Sequence, residues 1–270
     1  MAFMAIWRPE SNGDWKTDMT LAEFKARDVA NRAAGLALVC LRHQLTELFA
    51  AVWLPGTGHA PWVVGFSHTA FLAHNADMVK KGFRLVDLQM VNPIIGVITD
   101  GDIGDIQHSR FTATWRSGSG AQEFRDSMTH QQLLDHDATF RGQGLELLCL
   151  RTQNDGNRVG LWRPGSGGKW TSPQYPQDFK ATDATHTSNG LRLIDADTLD
   201  GSKICGVWHP GTGSVEWGDE MSTSQLHTSD AVQRKANLRI VKIIPMWDPV
   251  FPFPPTAESG GLPPGTPPSP

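Results

Sequence analysis

The residues able to do chemistry recur in columns. Arg84, Glu146, Arg192 and Arg239 each take the second position of a short apolar run, and Ala37 takes it in a fifth. Charged residues alternating with leucines point off one face of a strand. There they could bind a polar or anionic ligand, or form a solvated sheet face. A second column, Trp15, Trp62, Trp170 and Trp217, sits among polar neighbours. Its rings could stack on a sugar or a peptide, or cover a seam. A third column, Asp28, Asn75, Asp137, Asp183 and Asp230, recurs once per copy. That regularity predicts a structural acceptor for nearby backbone N–H groups rather than an acid catalyst. The fourth column, Cys40, Asp87, Cys149, Asp195 and Lys242, is varied enough for one asymmetric site or for strand ends meeting water.

No other constellation adds a catalytic residue. Three cysteines are too few for a disulfide framework and read as small buried apolar groups. His43 follows Cys40 by three positions, but no paired acids accompany them. The chain has neither His-Glu-x-x-His nor Cys-x-x-Cys, so no zinc site is expected. Asp100, Asp102 and Asp105 suggest a calcium loop, yet the twelfth position from Asp100 is Phe111 rather than glutamate. The sequence implies no cofactor.

The columns exist because one segment is repeated. Trp162-Arg163-Pro164-Gly165-Ser166-Gly167 returns as Trp208–Gly213 and Trp53–Gly58, without its proline at Trp115–Gly120, and in worn form at Trp7–Asn12. A fixed period of about 46 residues marks a repeat architecture. Each copy opens with a short strand ending in tryptophan. The Pro-Gly tetrad then predicts a hairpin turn into a return strand carrying the second aromatic. Thr20, Ser67, Thr129 and Ser222 are helix N-caps, Glu23 completes a capping box, and Pro176 suits a first helical turn. Phe24, Phe71, Leu133, Phe179 and Leu226 anchor the helix, one turn before the aspartate column. Gly35, Gly82, Gly144, Gly190 and Asn237 stop it, and a final alternating strand comes next.

Bulk composition excludes several classes. A net charge of −4 argues against a nucleic-acid partner, which would require clustered basic residues. No apolar run is long enough for a membrane span. The first residues lack a basic n-region and read as a strand rather than a signal peptide. Localisation stays open, since few cysteines suit the cytoplasm or secretion alike.

With the unit laid out, it resembles the bacterial tandem repeat family. Gly190-Leu191-Arg192-Leu193-Ile194-Asp195 and Gly82-Phe83-Arg84-Leu85-Val86-Asp87 carry the likeness, together with the Trp-Arg-Pro-Gly-x-Gly segments. The resemblance implies a repeat module of the kind found at the N-terminus of polyglycine hydrolases, tethered to a serine hydrolase domain that holds the chemistry. It carries no catalytic residue over to this chain, whose only tyrosine, Tyr175, precedes Pro176 and Gln177.

The expectation is therefore an α+β fold of five tandem ββαβ repeats in a closed or nearly closed ring, propeller-like, strands inside and helices outside. The five-repeat domain spans 1–246, with repeats at about 1–46, 47–91, 108–154, 155–200 and 201–246 and an insertion at 92–107; a Pro/Gly-rich tail or linker covers 247–270. The expected function is non-catalytic recognition of a peptide or carbohydrate chain, beside a tethered enzyme or a surface. The alternative is an enzyme with its site at the central opening of the ring.

Overall fold

The computed structural model describes residues 2–44, 48–56, 58–91, 110–153, 156–199, 202–246 and 258–260. Unit one is β1 (Ala2–Pro9), β2 (Asp14–Met19), α1 (Leu21–Ala33) and β3 (Leu36–His43). Unit two is β4 (Phe49–Pro55), β5 (Trp62–Phe66), α2 (His68–Lys80) and β6 (Phe83–Val91). Unit three is β7 (Arg110–Ser117), β8 (Glu123–Met128), α3 (His130–Gly142) and β9 (Leu145–Thr152). Unit four is β10 (Arg158–Pro164), β11 (Lys169–Trp170), α4 (Pro176–Ser188) and β12 (Leu191–Leu199). Unit five is β13 (Lys203–Pro210), β14 (Glu216–Met221), α5 (Thr223–Lys235) and β15 (Leu238–Met246), with β16 (Glu258–Gly260) in the tail. The insertion at 92–107, with Asp100, Asp102 and Asp105, lies outside the described residues, as does most of the tail.

Start and stop signals at equal spacing give five helices of 13 residues each. The hydroxyls of Thr20, Ser67, Thr129 and Ser222 accept the backbone N–H three residues on, which satisfies one of the free donors of the first turn. Tyr175 makes no such bond, and Pro176 begins α4 instead. Just past the helices, Gly35, Gly82, Gly144 and Gly190 take φ between 76° and 81°, and Asn237 takes 59°. That left-handed step is open to glycine and tolerated by asparagine. The five anchors, Phe24, Phe71, Leu133, Phe179 and Leu226, are fully buried.

The strand pairing differs from the expected hairpin. The two strands that flank a Pro-Gly tetrad never pair with each other. Instead β4, from unit two, lies between β2 and β3 of unit one, antiparallel to both. The same interleaving gives the sheets β5-β7-β6, β8-β10-β9 and β11-β13-β12. In the last sheet β1 occupies the middle place between β14 and β15 of unit five. The tetrad thus carries the chain from one sheet to the next. Each tryptophan strand is buried in the preceding unit's sheet, so no unit can complete its own sheet alone.

Every final strand also slips register at one place. Its pairing with the neighbouring tryptophan strand skips Val39, Val86, Leu148, Ile194 and Val241. An extra residue of this kind kinks a strand and re-aims the side chains beyond it. Past the slip, final strands pack on one another in series, β3 on β6, β6 on β9, β9 on β12, β12 on β15 and β15 on β3.

Candidate functional site

Most of the polar columns are engaged at seams between units. Asp137 of α3 accepts two indole N–H groups from unit four, Trp162 on Oδ1 and Trp170 on Oδ2, both at 2.9 Å. Asp183 accepts Trp208 at 2.7 Å and Trp217 at 2.9 Å. Asp230 accepts Trp7 at 3.2 Å and Trp15 at 2.8 Å, and Asp28 accepts Trp53 at 3.0 Å. Sequence predicts backbone N–H donors here; indoles of the next unit take that place. A carboxylate between two tryptophans meets both donors because it presents two oxygens. In the unit whose second aromatic is Phe124, one indole is missing, and the acceptor is Asn75, bonded to Trp115 at 2.9 Å and Gln122 at 3.3 Å. Of the second tryptophan column, Trp15 and Trp62 are buried and Trp170 and Trp217 half-buried. Trp62 packs edge-on against Phe24, with ring centroids 5.0 Å apart.

Past the register slip, the fourth column converges with two residues that sequence reasoning missed, Arg42 and Arg151. Arg42 holds Asp87 with two nitrogens. Arg151 holds Asp195 at 2.6 and 3.0 Å and reaches Asp87 at 3.3 Å. Lys242 lies 2.5 Å from Asp87 and 3.3 Å from Asp195. All five groups are buried. Burial alone would raise the pKa of both aspartates, but the surrounding cations outweigh it and hold both below the usual carboxylate range. Burial raises the half-buried Asp197 beside them. The signal in the sequence is an arginine two residues beyond Cys40 and again beyond Cys149.

The cysteines there are poor nucleophiles. Burial pushes the Cys40 thiol up to about 11 and the Cys205 thiol up to about 12, and raises Cys149 as well. Burial also pushes His43 down to about 4, leaving it a neutral ring. Among the described residues no three His, Cys, Asp or Glu side chains stand together as a metal site, and no helix is long and apolar enough to cross a membrane.

The first charged column lies at the Pro-Gly turns. Arg84 donates to the carbonyl of Gly120 at 2.8 Å and to that of Val79, near the end of α2, at 3.2 Å. Arg192 repeats this with Gly213 at 2.5 Å and Thr187 at 3.2 Å, and Arg239 reaches Arg234 at 3.4 Å. The carboxylate of Glu146 lies over Gly165, accepts the N–H of Gly168 at 2.7 Å and pairs with His209 at 3.0 Å. Each of these side chains fills the space beneath the next unit's turn, where the residue just after a tryptophan meets it: His209 meets Glu146, and Arg163 meets Arg84. The Arg163 pKa is lowered by burial and by the charge of Arg84.

One seam stays open. The column residue is Ala37, too short to fill it, and a cavity of about 380 Å³ remains between Ala37, Gly56, His59, Arg116 and Ser117. That falls within the roughly 300–1,000 Å³ typical of small-ligand sites. Arg116 follows Trp115 as His209 follows Trp208, and its guanidinium lies over Gly56 as the Glu146 carboxylate lies over Gly165. It makes no hydrogen bond or ion pair among the described residues. Arg32 holds His59 at 3.1 Å at the cavity's side. A comparison with family models finds none that matches this chain, and no curated protein matches it.

Proposed function

We propose that the chain is a non-catalytic recognition module in which five units close into a ring, strands inside and helices outside, and that one seam of the ring binds a peptide or glycan chain. Closure is supported by β1, which takes in the fifth sheet the place β4 takes in the first. The likeness of the units to bacterial tandem repeats points to a module serving a tethered enzyme or a surface. One observation carries the binding assignment. Four of five equivalent positions hold a long charged side chain beneath the next turn, and the fifth leaves a half-open hollow against an arginine unpaired among the described residues. An array of peptides and glycans probed with the full chain tests this reading. Retention of a defined subset is the expected result, and retention of nothing would sink it.

A further inference from the structure

We infer that the cavity between Ala37 and Arg116 takes a carboxylate carried by an extended acidic peptide; this rests on the recognition reading above and names its ligand. The fold already contains an occupied version of the site. Beneath the turn of unit four, the Glu146 carboxylate lies on Gly165, receives the Gly168 N–H and faces His209. In the open seam Gly56 stands for Gly165 and Arg116 follows its tryptophan as His209 does, but Ala37 replaces the glutamate and the Arg116 guanidinium itself lies over Gly56, where the Glu146 carboxylate lies over Gly165. What the guanidinium lacks is an anion to face it from the cavity, and a guanidinium binds a carboxylate through two parallel hydrogen bonds. The neighbouring seam shows the arrangement is not general. There Arg84 fills the space with its own guanidinium, and a buried nitrogen of Arg163, Nε, is left without a partner.

The tail favours a peptide over a glycan. Strand β16 adds to the outer edge of β5, antiparallel, with Glu258 against Val64 and Gly260 against Trp62. That edge therefore accepts an extended backbone, as in recognition by strand addition. Chain direction on it runs from Val64 toward Trp62, and Pro61 and Ala60 continue from Trp62 into the cavity wall. Because β16 holds that edge, an incoming extended segment takes its place along β5, and Arg116 selects one with an acidic side chain at the cavity.

The test measures binding of fluorescent deca-glutamate, deca-glutamine and an oligogalacturonate to the full chain by anisotropy. Deca-glutamate should bind at least tenfold more tightly than deca-glutamine. Ala37→Glu, which supplies the missing carboxylate from within, and Arg116→Gln should each weaken it at least tenfold without moving the melting temperature. Ala37→Gln fills the same volume without charge and should block equally, which keeps the test decisive if Ala37→Glu fails to fold. Deca-glutamate binding that ignores residue 37 would overturn the inference. So would oligogalacturonate binding in place of the peptide. A chain that captures array ligands yet is indifferent to charge and to residue 37 would sink this inference alone; one that captures nothing would sink the recognition reading too.

Discussion

The indole of Trp15 and the carboxylate of Asp230 are 215 residues apart in the chain and 2.8 Å apart in the fold. The bond joins the first unit to the last, and it is the same bond that Trp170 makes with Asp137 and Trp217 with Asp183 between consecutive units. The terminal seam is thus built like the internal ones.

Removing one clamp should loosen one seam. Asp137→Ala leaves two indole N–H groups without their acceptor, and bonds to a charged group contribute roughly 1.5–3 kcal/mol each. A loss of about 2–4 kcal/mol in urea unfolding is expected. A loss below about 0.5 kcal/mol would mean the tryptophans find other partners.

The asparagine seam permits a reciprocal test. Phe124→Trp alone brings a second indole to Asn75, whose amide offers only one oxygen. Asn75→Asp alone brings a charge to a seam with one indole. Each should destabilise, and the double variant should recover most of the loss, with a coupling of about 0.5–3 kcal/mol. Additive losses would show that the pairing of Asn75 with Phe124 has no physical content.

The buried ion cluster should be intolerant of single deletions. Arg151→Met leaves Asp195 without its two-pronged partner in a buried setting, for which about 3–5 kcal/mol is expected in chemical unfolding. Normal stability with both aspartates still ionised would contradict this account.

Acid should act in two stages. The His43 pKa in the fold is about 4, below the unfolded value near 6.5, so its unfolded form binds a proton first. Stability should fall by up to about 1.4 kcal/mol per pH unit between those values, and His43→Gln should flatten that slope. Asp87 and Asp195 are depressed, so their contribution is full above the unfolded value near 3.9 and is lost as pH drops below it. Unfolding curves at pH 7, 5.5, 4.5 and 3 separate the two stages. A flat profile down to pH 4.5 would remove the histidine from the account.

Ring closure can be tested by moving the opening strand. Ala2 pairs with Met246, so a short turn can join them, with new termini between Pro9 and Asp14. This circular permutant should fold as a monomer with cooperative unfolding. A permutant that associates or melts broadly would argue that β1 reaches β14 and β15 by another route.

Legibility in the sequence tracks the range of the interactions. Helix limits depend on neighbours within four residues, so Thr20, Gly35 and their counterparts announce them. The anchors can be read because a buried face repeats with the helical period. Pairing is not legible: a Pro-Gly turn between two strands reads as a hairpin, and only packing of whole units shows that the strands part into different sheets. The register slip falls on Val39, Val86, Leu148, Ile194 and Val241, branched aliphatic residues that read in sequence as ordinary strand positions, yet it brings Arg42 and Arg151 to Asp87 and Asp195. The repeated building block, its order of elements and the role of its aspartates as structural acceptors were determined by sequence alone, because each rests on local backbone preferences and a period that any copy displays. Which donors those aspartates serve, which charges meet in the buried cluster and whether the seam beside Ala37 is filled were decided by tertiary structure. Those contacts join residues 25 to 223 positions apart, where spacing along the chain no longer constrains distance in space.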